Sequence, residues 1–319
     1  MDGIINIYKE AGYTSHDVVA KLRGILKQRK IGHTGTLDPD ATGVLPVCLG
    51  NATRLCEFMT DKEKEYEATF RFGIMTDTED MTGTVLETVE NFITEEALQE
   101  TLTAFLGTYE QVPPMYSAIK VNGKKLYELA REGKIVEREA RPVTIYEATL
   151  LSVTKREDGF LETATIRVRC SKGTYIRSLI RDIGTAMQTL ACMETLVRTK
   201  AGVFTLEHAV SLAQVEAARD AGMVEQLLYP TDAMLAMYPS CQVKPDAERY
   251  LYNGNPLYGN QLAEKMRLTD GAMLRVYDTK GQFTGLYYYD EQKKQFRPKT
   301  MFFTAQTKSP SVNTQCIQS

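Results

Sequence analysis

The chain has 319 residues, of which 43% are hydrophobic and 25% are charged, and its formal net charge is −3. This composition is typical of a soluble globular protein of about two domains, and it excludes the collagen-like, disordered and disulfide-rich classes. Because the sequence has no apolar run of roughly 18 residues, no basic secretory leader and no CxxC pair, we expect a cytoplasmic protein without membrane spans.

Hydrophobic periodicity predicts the secondary structure of the N-terminal half. Ser15 is expected to cap a helix whose apolar residues recur at helical spacing. From Tyr66 to Phe72 apolar and polar residues alternate, which predicts a half-buried strand. Thr94 is expected to cap a second helix, and Gly107 is expected to end it.

The C-terminal half continues this interleaving of strands and helices. Alternation from Ala164 to Cys170 predicts a strand, and apolar residues from Ile176 onward predict a helix that closes at Gly184. Because the order lacks a regular parallel βαβ rhythm, the sequence favours the α+β class. From about residue 241, short β-like segments separated by turns predict a small β-rich module, and residues 304–319 are expected to form a flexible tail.

Positive charge is concentrated in parts of the chain despite the negative total. The segment Lys21–Lys30, KLRGILKQRK, carries five basic residues and no acidic one. Because a phosphate backbone responds to local basic surface and not to net charge, nucleic acid remains a possible partner.

The densest sequence signal is the segment Gly32–Gly50, which reads GHTGTLDPDATGVLPVCLG. Its glycines allow backbone conformations that other residues avoid, and Pro39 restricts Asp38 to an extended conformation. A carboxylate presented on such a loop suits a nucleophile or a general base. On these grounds Asp40 is an equal candidate, and an Asp-Pro turn without any catalytic role explains the same pattern.

This segment resembles the signature loop of the TruB family, the bacterial tRNA pseudouridine-55 synthases. Five further segments resemble that family, in its order: TSHDVV (Thr14–Val19), KEYEATFRFGIMTDTED (Lys64–Asp80), PPMYSAIKVNGKKLYELAREG (Pro113–Gly133), CSKGTYIRSLIRDIG (Cys170–Gly184) and LVRTKAGVF (Leu196–Phe204). Towards the C-terminus, RVYDTKGQFTGLYYYDEQKKQFRPKTMF is similar to a PUA RNA-binding domain. One departure is YKEAG at Tyr8–Gly12, where the family usually has DKPxG.

The resemblance implies a fold and an activity. Residues 1–240 would form a pseudouridine-synthase catalytic domain, with a mixed, mainly antiparallel sheet flanked by helices and an RNA-clamp insertion at about 107–145. Residues 241–303 would form a small PUA-like barrel. The implied reaction converts a uridine in the T loop of tRNA to pseudouridine without a cofactor or metal. The implied partner is tRNA, with no membrane and no obligate protein partner. We expect a monomer, because the sequence shows no coiled-coil pattern and no large apolar patch.

The resemblance also assigns roles to individual residues. Asp38 becomes the catalytic aspartate in preference to Asp40, and Arg177 becomes its partner, which would stabilise the ionised carboxylate. The remaining expected substrate-binding residues are Tyr66, which would stack on the uracil and take part in removing the C5 proton, and Tyr175, Leu196 and His33. The expected RNA-clamp residues are Lys120, Lys124, Lys125 and Arg131, which would contact phosphates.

Each of these roles has a structural alternative that the residues alone leave open. Arg177 can lie on an exposed helix face, Tyr66 and Leu196 can be core side chains, and His33 can be a structural hydrogen-bonding group. The clamp can be a solvated hairpin and helix. At the level of function, the alternatives are a catalytically silent RNA-binding protein on the same scaffold, a relative that works inside a guide-RNA complex, and a glycosidase.

Overall fold

The computed structural model describes residues 1–60, 62–121 and 123–303, so the expected tail at 304–319 lies outside the described residues. The chain divides into two compact units. The larger unit comprises Ile5–Val47 and Cys56–Leu227, and the smaller comprises Met1–Ile4, Cys48–Leu55 and the described residues from 228 to 303. Within the described ranges, no helix has the length and apolar character needed to cross a membrane.

The helices and strands are numbered in chain order. The helices are α1 (Ser15–Leu26), α2 (Cys56–Thr60), α3 (Glu95–Ala104), α4 (Leu126–Arg131), α5 (Ile176–Ala186), α6 (Leu212–Asp220) and α7 (Glu248–Tyr252). The first strands are β1 (Gly3–Lys9), β2 (Ile31–His33), β3 (Thr42–Leu49), β4 (Lys64–Phe72), β5 (Ile74–Thr76), β6 (Val85–Thr88), β7 (Gly107–Gln111), β8 (Lys120–Val121), β9 (Lys124–Lys125) and β10 (Arg141–Lys155). The later strands are β11 (Leu161–Cys170), β12 (Ala191–Ala201), β13 (Phe204–Thr205), β14 (Leu228–Tyr229), β15 (Ser240–Gln242), β16 (Leu257–Tyr258), β17 (Met273–Tyr277), β18 (Phe283–Asp290) and β19 (Gln295–Met301).

The larger unit is built on a mixed sheet in which β1, β3, β12, β4, β11, β10 and β7 are neighbours in that order. Strand β4 runs antiparallel to both β11 and β12, and β10 runs antiparallel to β11 and β7. Strands β3 and β12 are parallel. The prediction of an α+β fold with a mixed, mainly antiparallel sheet is therefore confirmed.

Helix α5 covers one face of this sheet. The alternation predicted for β4 is present, because Tyr66, Ala68, Phe70 and Phe72 are all buried in one hydrophobic cluster. The same cluster includes the apolar residues of α5, which are Ile176, Leu179, Ile180 and Ile183. Burial of apolar surface of this kind is the main driving force of folding. It also fixes the position of the N-terminal end of α5, where Arg177 lies.

The start of α1 differs from the prediction by one residue. Thr14, not Ser15, is the N-cap: its side chain accepts a hydrogen bond from the backbone N–H of Asp17, whose carboxylate accepts one from Thr14 N–H. This reciprocal pair is a capping box. Ser15 is buried instead, and its hydroxyl bonds the backbone of Leu37.

Two helix ends also differ from the prediction. Thr94 caps α3 as expected, but the helix ends at Ala104, and Gly107 begins β7 with a φ of 99°. Helix α5 continues past Gly184 to Ala186. At Gly184 an added Cβ would lie 2.7 Å from the backbone nitrogen of Ala191, so this glycine permits close helix–strand packing and is not a helix terminator.

The smaller unit contains a sheet in which β15, β17, β18, β19 and β16 are neighbours in that order. Strand β15 runs parallel to β17, and the other pairs are antiparallel. Its core consists of buried apolar side chains, among them Val243, Leu251, Leu274, Val276, Tyr287 and Phe296. The prediction of a small β-rich module in the C-terminal part of the chain is confirmed by this sheet.

Candidate active site

Asp38 lies on the loop between β2 and β3, and neighbouring elements hold that loop from both sides. The Ser15 hydroxyl, in the first turn of α1, accepts a hydrogen bond from the N–H of Leu37 at 2.9 Å. On the other side of Asp38, the ammonium of Lys9 donates to the carbonyl of Pro39 at 2.8 Å. The backbone that carries the Asp38 carboxylate is therefore fixed immediately before and after it.

Arg177 forms a two-point ion pair with Asp38. Its Nε lies 2.9 Å from Oδ2, and its Nη2 donates to Oδ1 at 3.1 Å. The side chain of Arg177 is only 5% exposed, whereas that of Asp38 is 37% exposed. The alternative of a surface arginine is therefore wrong. Paired donors of this geometry stabilise the carboxylate and orient its plane.

Backbone carbonyls from two other segments hold the same guanidinium. Arg177 donates to the carbonyls of Thr78 and Tyr116, at 2.9 Å each. The carboxylate of Asp80 is a further neighbour, with Oδ2 3.8 Å from Nε. Sequence reasoning missed Asp80, although TDTED was among the segments that resemble the TruB family. The arrangement fixes the arginine before any substrate binds.

Asp40 does not share this environment. It is exposed, while Asp38 is partly buried against Arg177. The structure therefore separates two carboxylates that the sequence pattern alone left equivalent. Among the described residues, no group of three or more His, Cys, Asp and Glu side chains is placed to hold a metal ion.

Tyr66 and Leu196 lie on the same buried face of the sheet. Tyr66 is 8% exposed and Leu196 is 7% exposed, and both belong to the cluster that also contains Leu37, the residue before Asp38. Burial raises the pKa of the Tyr66 hydroxyl, and the positive charge of Arg198 opposes that rise. Tyr66 and Leu196 are core side chains that also lie beside the Asp38 loop. A role in the core and a role in binding substrate are therefore compatible for both residues.

Tyr175 occupies the N-cap position of α5, two residues before Arg177. The side-chain amide of Gln111 binds its backbone at two points: Tyr175 N–H donates to Oε1 at 2.9 Å, and Nε2 donates to the Tyr175 carbonyl at 3.1 Å. Burial raises the pKa of the Tyr175 hydroxyl. Gln111, which is 2% exposed, is a second residue that sequence reasoning missed.

His33 lies at the end of β2, five residues before Asp38. Its ring packs edge-on against His16, with 5.3 Å between the ring centroids. Burial lowers the pKa of His33, so the neutral imidazole is favoured. In the described part of the chain, no group forms a hydrogen bond with its buried Nδ1. His16, which the sequence analysis left without a role, is thus its ring neighbour.

The basic residues expected to clamp RNA lie on a small hairpin and a short helix. Lys120 and Lys125 face each other across the β8–β9 pair, and Lys120 is exposed. Lys124 pairs with Glu132 at 3.1 Å. The Arg131 guanidinium lies over the ring of Tyr127. The hydroxyl of Tyr127 accepts a hydrogen bond from the Lys125 ammonium.

The segment that leaves the main sheet is shorter than the expected insertion at 107–145. Its two ends, Gly107–Gln111 and Arg141–Ile145, are paired with each other as parts of β7 and β10. Residues 112–140 therefore make up the segment outside the sheet, of which residue 122 is not described.

The burial of Lys9 predicts how the free energy of unfolding depends on pH. Burial lowers its pKa from 10.5 to about 8, although the nearby Asp40 and Asp38 carboxylates act in the opposite direction. Between these pH values the folded chain has released the Lys9 proton while the unfolded chain still holds it. The unfolded state therefore binds more protons, and the free energy of unfolding should rise with pH across this window.

Replacing Lys9 by methionine should remove this contribution. The measurement is urea unfolding of the wild-type chain and Lys9→Met at several pH values from 8 to 10.5. The wild type should gain more stability than the variant over that range. Equal slopes for the two proteins would contradict a lowered pKa of Lys9.

Comparisons with known proteins agree with these observations. The family profile described as "TruB family pseudouridylate synthase (N terminal domain)" matches residues 23–176. Profiles described as "tRNA pseudouridylate synthase B C-terminal domain" and "PUA-like domain" match residues 177–236 and 242–296. A curated relative from Lachnoclostridium phytofermentans, named tRNA pseudouridine synthase B, is 53% identical over 95% of this chain and 100% of its own length. Another of the same name, from Alkaliphilus oremlandii, is 42% identical over 89% of this chain and 92% of its own.

Solved structures share the fold. A chain from the structure described as "Crystal Structure of a Cbf5-Nop10-Gar1 Complex" superposes with a TM-score of 0.70 and 26% identity, covering 95% of this chain and 85% of that one. A chain from an H/ACA RNP bound to a substrate RNA containing 2'-deoxyuridine gives the same TM-score at 24% identity, covering 95% and 86% of the two chains. The matched profiles and the extent of the identity to its relatives show that the chain belongs to the TruB family of pseudouridylate synthases.

Proposed function

We propose that this chain isomerises the uridine at position 55, in the T loop of tRNA, to pseudouridine, with Asp38 as the catalytic residue. The observation that carries the proposal is the two-point pairing of a partly exposed Asp38 with a buried Arg177, at 2.9 and 3.1 Å. The curated relatives named tRNA pseudouridine synthase B support the substrate class.

The reaction is an isomerisation that balances without a co-reactant. The bond between C1′ and N1 of the uridine breaks, the uracil turns, and a bond forms between C1′ and C5. The hydrogen leaves C5, and N1 gains one. The Asp38 carboxylate starts this sequence by one of two routes. It attacks C1′ as the bond to N1 breaks, and the resulting ester bond breaks when C5 bonds to C1′; or it removes a proton from C2′ and returns that proton to C2′ when C5 bonds to C1′. Both routes use the carboxylate that the Arg177 guanidinium binds at two points.

The neighbouring residues provide a site for a uracil that has left its stack. Tyr66 offers an aromatic face with a polar tip, Leu196 an apolar contact, and Tyr175 a second ring on a backbone that Gln111 binds. A base in a folded loop must be extruded to reach Asp38, which costs a few kcal/mol of unstacking. The neutral His33 ring can offset that cost by contact with the bases left behind.

RNA binding is assigned to two regions. We assign residues 1–240 to catalysis, with the segment at 112–140 contacting the RNA stem-loop through its basic residues. Residues 241–303 form the PUA-like module that binds the RNA elsewhere, and the active chain is a monomer that needs no protein partner. Contacts to phosphates position the RNA without reading its sequence.

Neutralising two clamp residues should weaken binding more than it slows the chemistry. Lys120 and Arg131 are exposed, whereas Lys124 is paired with Glu132. In Lys120→Ala/Arg131→Ala, fewer phosphate contacts release fewer counterions, so the logarithmic salt slope should become shallower by about one to two units. The single-turnover rate at saturating tRNA should stay within about threefold of wild type.

The matched control for this variant is Lys155→Ala. Lys155 is also exposed and pairs with Glu95, at the end of β10 far in sequence from the segment at 112–140. Affinity at several salt concentrations is measured for all three proteins. An unchanged slope and affinity in the double variant would show that the segment does not contact RNA.

Incubation with an unmodified tRNA transcript tests the proposed function. Nucleoside analysis should find one pseudouridine per tRNA, and a transcript with cytidine at position 55 should give none. A catalytically silent RNA-binding protein would bind both transcripts and modify neither. Modification of the cytidine-substituted transcript would place the target at another uridine.

A further inference from the structure

Arg198 is a buried arginine in the centre of the sheet, and the proposed chemistry above gives it no role. It lies on β12 and is only 2% exposed. On one side its backbone pairs with Gly43 of β3, and on the other side it lies opposite Tyr66 of β4. Arg198 therefore stands between the strand that follows the Asp38 loop and the strand that carries Tyr66.

The guanidinium of Arg198 binds both ends of the loop that carries Asp38. Its Nε donates to the carbonyl of Val44 at 2.7 Å, after the loop. Its Nη1 and Nη2 donate to the carbonyls of Thr36 and Gly35 at 3.3 and 3.4 Å, in the first half of the loop. One side chain thus closes the loop across its base, two residues from Asp38.

The backbone of Gly43, on β3, also lies very close to the backbone of Arg198, on β12. Gly43 has a φ of 106°, and an added Cβ there would lie 2.3 Å from the carbonyl oxygen of Arg198. A side chain at position 43 would push β3 away from β12. The glycine is therefore required for the approach that brings Val44 within reach of the guanidinium.

The same guanidinium acts on Tyr66. A hydrogen bond and the positive charge of Arg198 both lower the pKa of the Tyr66 hydroxyl, against the effect of burial. In the part of the chain that the structure describes, the contacts of this guanidinium are to carbonyls and to Tyr66, not to a carboxylate. Burying a charge without an ionic partner opposes folding, which makes a purely stabilising role a poor account of this residue.

We propose that Arg198 is a positioning residue of the isomerisation, whose guanidinium holds the loop that carries Asp38 at a fixed place relative to the Tyr66 hydroxyl. This inference rests on the proposed function, because Asp38 and Tyr66 act on the uracil only in that reaction. A loop that is free to shift would misplace the carboxylate relative to C1′ and the tyrosine relative to C5. Small displacements of reacting groups are costly for rate.

The test uses the full chain with Arg198→Met and Arg198→Lys. Arg198→Met should lower the single-turnover rate at saturating tRNA at least 100-fold while tRNA affinity stays within threefold. Arg198→Lys, which keeps the charge but not the fork of donors, should recover at least tenfold of that loss. Hydrogen exchange of the amides at residues 35–44, measured without RNA, should be faster in both variants.

Leu161→Ala is the matched control for lost stability, because Leu161 is fully buried in the same core but lies on β11, which pairs with β4 and β10 and not with β3. A rate for Arg198→Met within threefold of wild type would overturn the proposal. So would an equal rate loss in Leu161→Ala at the same loss of thermal stability.

A double-mutant cycle covers the case in which Arg198→Met does not fold. If Arg198 acts in part through Tyr66, Arg198→Lys should slow the reaction less in a Tyr66→Phe background than in the wild type. Strictly additive rate losses, with unchanged hydrogen exchange in the loop, would overturn the proposal. Absence of pseudouridine with the wild-type chain would instead contradict the proposed function, and the exchange measurement would still test Arg198.

Discussion

Replacing Asp38 by asparagine should abolish pseudouridine formation, with a loss of at least about 1,000-fold in single-turnover rate. The amide keeps the size and shape of the carboxylate but serves neither as a nucleophile nor as a base. Because Asp38 is 37% exposed and its loop is held by Lys9 and Ser15, the fold should tolerate the change. The affinity for tRNA should therefore stay within about fivefold of wild type.

Asp40→Asn is the control for this result. It removes one carboxylate from the same loop, at an exposed position without the arginine pair. Release of label from C5-tritiated uridine in tRNA measures the rate, and filter binding measures the affinity. Activity of Asp38→Asn within tenfold of wild type would exclude Asp38 as the catalytic residue, and a selective loss in Asp40→Asn would move the assignment to Asp40.

The second large effect is expected for Arg177→Met. Removing the Arg177 guanidinium takes away the ionic partner of the Asp38 carboxylate. It also takes away the donor that binds the carbonyls of Thr78 and Tyr116. The rate should fall by at least about 100-fold, as expected for the loss of a buried electrostatic contact.

Arg181→Met is the matched control for this arginine. It lies one helical turn later on α5 and pairs with Glu79 and Asp182, not with Asp38. Single-turnover rates of both variants are measured from pH 5 to pH 9, with circular dichroism to verify folding. An Arg177→Met rate within threefold of the wild-type rate across this pH range would show that the pair does not matter for the reaction.

The sequence predicted the elements that depend on local patterns. The alternation in β4 specified its buried face, because successive side chains of a strand point to opposite sides. Element ends were less predictable. Ser15 looks like a cap by residue type, but its hydroxyl is used by Leu37, which is distant in sequence. Gly184 looks like a terminator, but tertiary packing against Ala191 accounts for it.

The site was only partly predictable for the same reason. The residues alone did not separate Asp38 from Asp40, and the resemblance to the TruB family was needed to choose between them. The pairing with Arg177 joins positions 139 residues apart, which no local pattern reveals. Asp80, Gln111 and Arg198 were missed because their roles lie in contacts between distant segments.

Site-resolved mapping of pseudouridine in an unmodified tRNA transcript tests the central claim most directly. The transcript is incubated with the wild-type chain or with Asp38→Asn, and every uridine is then examined at single-nucleotide resolution. We expect pseudouridine at position 55 of the T loop with the wild type and at no position with the variant. Modification at a different uridine, or at position 55 with both proteins, would contradict it.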